Sequence, residues 1–344
     1  MKHKDVMRHT IRLALLAGIA AGTFTLAAGT GVHAQAADPN AAPNPYKMQD
    51  GWAHLPDGRK FGAAIKVQVD HSDGKSIWVF DRCGGNDCGN STLNPIQKFD
   101  AGGKFVTGFG GGMFNQPHGF YVDKEGNVWV ADERAKNGKG AVVVKFSPEG
   151  KVLMTLGKPG MPGNGPELLD GPSGVVVAPN GDIYVADGHG GNSNDRIAKF
   201  SKDGKFISAW GKHGKAQGEF DTPHGIALDS AGKVYVADRA NNRVQVFEPD
   251  GKFVAEWKQF GRPSDVAVDK NDTIYVADSQ STPTNNPGFK QGVRIGSVKD
   301  GKVTAFIPEP SAEVGAPEGV GVDEAGNVYG GYTSKMAVRR FTKG

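Results

Sequence analysis

The sequence predicts an all-β protein, a six-bladed β-propeller closed by an N-terminal strand, and three observations carry that expectation. One pattern recurs five times, opening at Pro117-His118-Gly119, Pro172-Ser173-Gly174, Pro223-His224-Gly225, Pro263-Ser264-Asp265 and Pro317-Glu318-Gly319. Each copy holds a short apolar strand, a turn such as Asp123-Lys124-Glu125-Gly126-Asn127, and a second apolar strand. Repetition every ~40–55 residues is the signature of stacked four-stranded units. Second, Asp-Gly or Glu-Gly pairs sit between alternating apolar residues at Glu149-Gly150, Asp203-Gly204 and Asp250-Gly251. Glycine takes the positive φ such hairpins require. Third, 51 glycines and 20 prolines without helical periodicity leave no room for a helical domain.

The repeats place the elements in order. A degenerate first unit runs from Ile65 to Phe109, with Ile77–Asp81 as its second strand, and makes the sixth blade. The last unit ends three strands in, at Val338-Arg339-Arg340-Phe341, so a strand must be borrowed. Gln49 to Leu55, around Trp52, is the expected donor. Trp78, Trp129, Trp210 and Trp257 fall on repeat strands and are expected in the core. Asp132, Asp187, Asp238 and Asp278 recur at strand ends and should bond backbone amides. Arg196 and Arg243, in a repeated Asp/Asn-Arg-Ile/Val element, are expected to be structural.

Residues 1–36 read as a secretory signal peptide and 37–45 as a flexible linker, leaving 46–344 for the propeller. Lys2, Lys4, Arg8 and Arg12 precede an apolar run from Leu13 to about Ala28, too short for a membrane span. Two candidate cleavage points follow, at Val32-His33-Ala34 and Ala34-Gln35-Ala36. A general-route signal implies a bacterial periplasmic or secreted protein. Losing four Lys/Arg and Asp5 takes the formal charge from +3 to zero. A neutral chain without a basic tract argues against nucleic acid or an anionic membrane as partner, and a monomer is expected. In an exported protein the two cysteines, Cys83 and Cys88, read first as a disulfide. Zinc would need further ligands nearby, and a redox pair would more often be spaced Cys-x-x-Cys.

The scaffold repeats, but the residue after each proline does not: it reads His118, Ser173, His224, Ser264 and Glu318. In a meander the end of the second strand returns to the side where the first began. The same face therefore receives Arg82, Glu133, Gly188-His189, Arg239, Ser279 and Thr333. Imidazole and carboxylate groups gathered at a narrow channel mouth favour a cation. Of the six histidines beyond the signal, His54, His71 and His213 have no such placement. A loop at Asn285-Asn286-Pro287-Gly288 is placed to overhang this face.

The units are similar to NHL-type repeats, and their arrangement resembles that of the peptidyl-α-hydroxyglycine α-amidating lyases. The resemblance rests on Asp81-Arg82, Pro117-His118-Gly119, Asp187-Gly188-His189 before Asp195-Arg196-Ile197, Pro223-His224-Gly225, and Ala237-Asp238-Arg239 before Asn242-Arg243-Val244. It implies a zinc ion held by three histidines, two flanking arginines, and a tyrosinate that helps collapse a carbinolamide into an amide and glyoxylate. Carried over by position, the metal ligands are His118, His224 and Glu318, and the arginines Arg82 and Arg239. Glu318 stands where the family has its third histidine. Gly319 stands where an acid helps hold a structural calcium. No tyrosine follows Asp187, and His189 is the nearest ionisable replacement, placed to act as general base. A His₂Glu set suits catalytic zinc and resembles sets used by Fe(II).

The expected function is thus a metal-dependent lyase or hydrolase acting on a small carbonyl, amide or lactone-type substrate. The alternative is a non-catalytic periplasmic propeller that binds a peptide, glycan or protein partner. A gluconolactonase-like lactonase fits less well, because its mixed Glu/Asn/Asp metal set is not evident at these positions.

Overall fold

The computed structural model describes residues 38–191, 193–310 and 315–344; the signal-peptide reading of residues 1–36 lies outside the described residues. The described chain forms 24 strands, arranged as six four-stranded antiparallel sheets. Alternating Val, Ile, Phe and Ala on the second strands explains this, since each such strand is buried on both faces. The first strand of every blade packs against the first strand of the next, and that of blade six, Gly319–Val322, against that of blade one, Ala64–Val69. The ring is closed, as the repeats predict.

Closure uses a different donor from the expected one. Tyr46–Gln49, not Gln49–Leu55, supplies the outer strand of blade six, pairing antiparallel with Ala337–Lys343 in the register Tyr46↔Lys343 to Gln49↔Arg340. Gly51, at φ +64°, ends that strand. Trp52 then turns inward, where its ring meets Tyr329 and its indole N–H donates to the Ala101 carbonyl.

Residues 38–45 are not the free linker that their composition suggests. Asn40 donates to the Gly288 carbonyl and accepts from the Lys290 amide, and the Pro43 carbonyl accepts from the Phe306 amide. Arg294 clasps the same segment. Its guanidinium donates to the Pro39 carbonyl and the Asn40 side chain, faces Asp278 at 3.4 Å, and stacks on Phe289 and Phe306. The 285–288 loop is thereby tied to the N-terminal segment at Gly288. Cys83 and Cys88 form the disulfide, with Cα atoms 5.3 Å apart.

Two polar devices repeat inside the blades. At the first turn a carboxylate accepts from an aromatic donor: Asp70 from Trp78, Asp123 from Trp129, Asp229 from Tyr235, Asp269 from Tyr275 and Asp323 from Tyr329. Blade three lacks this acid, and Tyr184 donates to the Pro249 carbonyl in the next blade instead. At the second-strand ends Asp81, Asp132, Asp187, Asp238 and Asp278 are fully buried. Each accepts the backbone N–H of a residue just ahead of the first strand: Gly62, Asn115, Asp170, Asp221 and Arg262 respectively. Arg196 and Arg243 brace Asp187 and Asp238, as expected.

Replacing Arg294 by Met should destabilise the protein by about 3 kcal/mol, near the lower end for breaking a buried ion pair, because Ser281 and the Arg262 amide still serve Asp278. Thermal unfolding and limited proteolysis check this; residues 38–45 should become the first cleavage site.

Candidate functional site

The first strands of blades one to five each carry one extra residue near their start, as at Pro117↔Asp132 followed by Phe120↔Val130. Such bulges re-aim side chains. Here they turn His118 and His224 toward the channel axis. Gly119 lets the neighbouring strand come close: a Cβ there would lie 2.9 Å from the Ser173 carbonyl and Gly174 Cα.

A pocket of about 470 Å³ opens at this mouth, lined among others by Arg82, His118, Glu133, His189, Arg239 and Glu318. The structure brings all seven charged or ligand-type residues of the predicted face together, although it groups them differently. His118, His189 and His224 form the cluster able to hold a metal ion, with one ligand atom from each lying within 4.8 Å of the others. The third imidazole is His189, read from sequence as a general base. Glu318, read as the third ligand, borders this cluster with Oε1 3.2 Å from His224 Nε2, and it accepts from Ser279 at Oε2 and from Arg239 at Oε1. The exchange follows from the loop after Asp187, whose Gly188 and His189 amides both donate to the Gly171 carbonyl and fold the ring inward.

The protonation pattern follows from the partners. His118 Nδ1 lies 2.8 Å from the Ser173 carbonyl, and His224 Nδ1 bonds the Ser264 carbonyl. A carbonyl only accepts, so both Nδ1 atoms carry the proton and both Nε2 atoms keep a lone pair. Ser173 and Ser264 thus serve the site through their backbone, while their hydroxyls bond other carbonyls. Burial holds His118 well below the ordinary histidine value despite Glu133 nearby, and burial with the Arg239 charge pushes His224 down to about 3. Both rings are neutral, ligand-ready imidazoles.

Arg239 sits where a cation is wanted. Its guanidinium donates to His224 Nε2 at 2.7 Å, to His189 Nε2 at 3.1 Å and to Glu318 at 3.2 Å. It satisfies the lone pairs that a metal ion would use, which shows that the donor set suits positive charge. Arg82 is fixed by the Pro117 carbonyl and by Asn86, inside the disulfide loop. Burial alone would raise the Glu318 carboxyl, but His224, Arg239 and Ser279 hold it well below the usual range. Glu133, also buried, is held below the usual carboxylate range: desolvation opposes this, and His189 and the Arg82 charge outweigh it. Sequence reasoning put Glu133 on this face without assigning it a role. The signal was its slot, which is the slot of Arg82 and Arg239.

Comparison with known proteins places these features in a class. The NHL repeat model matches residues 114–139, 169–200, 220–247 and 260–282. The chain contains NHL repeats and folds as a six-bladed β-propeller. It is 34% identical over 199 residues to human NHL repeat-containing protein 3, covering 56% of this chain and 54% of that protein. It is 36% identical over 212 residues to peptidyl-alpha-hydroxyglycine alpha-amidating lyase 1 of Drosophila melanogaster, covering 54% of this chain and 37% of that one. The chain spans about half the length of the first curated relatives it matches. Solved structures share the fold: a putative gluconolactonase at TM-score 0.58 and 14% identity, covering 88% of this chain and 93% of that one, and a streptogramin B lyase at 0.53 and 15%, covering 87% and 98%.

The histidines make stability depend on pH. The unfolded chain protonates His224 near pH 6.5, whereas the fold excludes that proton until about pH 3. Its contribution is therefore fully present above pH 6.5 and is lost as pH falls below it. Burial pushes Asp132, Asp187 and Asp238 up to about 6, which acts in the opposite direction. The histidine share is read as a difference between variants. In chelator-treated protein, the unfolding free energies of wild type and His224→Gln should converge by about 1.4 kcal/mol per pH unit from pH 6 to 4, by urea titration. A constant gap would mean that the ring is charged in the fold.

Proposed function

We propose that the protein is an exported, metal-dependent lyase or hydrolase that acts at this pocket on a small carbonyl, amide or lactone-type substrate. The observation that carries the reading is the set of three imidazoles converging beside two buried guanidinium groups. Nitrogen-rich donors suit a first-row divalent ion, zinc first and iron second. Bound there, it would act as a Lewis acid toward a substrate oxygen. His118 and His224 would hold such an ion through Nε2, their rings oriented by the Ser173 and Ser264 carbonyls. Arg82 keeps its guanidinium fixed at the mouth, and Arg239 supplies N–H donors for negative charge that develops on the substrate.

Similarity to amidating lyases makes peptidyl-α-hydroxyglycine the first substrate to try. Its breakdown cleaves the bond between the amide nitrogen and the hydroxylated carbon. The hydroxyl loses its proton as the carbonyl of glyoxylate forms, and the nitrogen gains one. No tyrosine lines the pocket among the described residues, so imidazole, carboxylate or solvent must move that proton. Residence in the periplasm belongs to the same proposal and rests on the N-terminal segment.

Mass spectrometry of untagged protein should find about one zinc or iron per chain, lost in a His118→Ala/His224→Ala variant. With α-hydroxyglycine peptides or lactones, Arg239→Met should lower kcat/KM by about 100-fold or more. Absence of metal and of turnover in a folded protein would sink the enzyme reading and leave a binding propeller.

A further inference from the structure

Among the described residues, Glu133 is the pocket carboxylate whose oxygens receive no aligned hydrogen bond. Its side chain is about 1% exposed. Its nearest contact is His189 Nδ1, 2.7 Å from Oε2, which carries the ring proton because Arg239 donates to Nε2, but the pair is not aligned as a hydrogen bond. Arg82 is 3.9 Å away, and Arg134, at 3.2 Å, is largely in solvent and also unaligned. A buried carboxylate left in this state is strongly unfavourable unless something positive completes it. Glu318 offers the contrast: its Oε1 lies 3.2 Å from His224 Nε2, but there Arg239 donates to both atoms, and Ser279 donates to Oε2.

The contact with His118 says what is missing. His118 Nδ1 donates to the Ser173 carbonyl, so Nε2 carries the lone pair, and Glu133 Oε2 faces that atom at 3.5 Å. Two acceptors so close repel each other unless a cation lies between them. We infer that Glu133 is a ligand of the metal site, completing a set with His118, His189 and His224, and that Glu318 instead anchors Arg239. The inference rests on the metal reading proposed above. Four protein donors close a tetrahedron, so substrate could reach only an ion that accepts five or six ligands. Glu133 follows Asp132 directly, and its amide donates to the Gln116 carbonyl at 3.0 Å, which fixes its backbone at the mouth.

The test uses Co²⁺, whose visible bands report its ligands, titrated into chelator-treated protein, with Zn²⁺ competition for affinity. Glu133→Gln should weaken binding by more than about 100-fold, beyond the roughly 10–100-fold typical of outer partners, and shift the bands at saturation. Glu318→Gln should keep the wild-type bands. Circular dichroism of the apo variants checks folding; if Glu133→Gln fails it, Glu133→His retains a donor and should bind with shifted bands. Wild-type bands in either Glu133 variant would overturn the inference and leave the metal reading intact. So would band loss confined to Glu318→Gln. No Co²⁺ or Zn²⁺ uptake by wild type would overturn both.

Discussion

The structure depends on a buried carboxylate at the end of the second strand in each of the first five blades. Asp81, Asp132, Asp187, Asp238 and Asp278 hold the backbone that enters the first strand, and with it the residue that faces the axis. Buried acids are tolerated only when their oxygens are occupied, and here amides, arginines and Asn or Ser side chains occupy them. The same bond that ties one blade to itself therefore sets the position of His118 and His224. Scaffold and site share one set of contacts.

The pocket built on that frame is close to electrical balance. Glu133 and Glu318 carry negative charge, Arg82 and Arg239 carry positive charge, and burial keeps His118 and His224 neutral. Within it the pairing is uneven. Arg239 and Glu318 satisfy each other, whereas Arg82 reaches Glu133 only at 3.9 Å. One half of the mouth is closed on itself and the other is open to a ligand.

Much of this was legible in the sequence. Strand period, turn glycines and the varying residue after each proline depend on local chemistry, and they gave the blade count and the face. The disulfide followed from spacing and expected compartment. What local pattern does not carry is the division of labour among groups that meet across blades. Glu318 shares its slot with two histidines, but Ser279 and Arg239 claim it. His189 enters the cluster because two amides of its loop share the Gly171 carbonyl, a contact across 17 or 18 residues. The closing strand was misplaced by a few residues because Trp52 is a better β-former than Lys47, while the position of Gly51 decides where the strand stops. The docked segment 38–45 looks like a linker because its partners, Arg294 and Phe306, lie some 250 residues away.

Pairing of Tyr46–Gln49 with Ala337–Lys343 also bears on the order of events during synthesis. A ribosome makes the first of these strands before the five intact blades and its partner after them. Five blades can complete their own sheets as they emerge, each from one continuous stretch of chain, but the sixth cannot. The loop that must close spans most of the propeller, and its entropic penalty grows only with the logarithm of its length. Ring closure therefore waits until all six blades are made, and until then the outer edge of blade six stays unpaired and open to another chain.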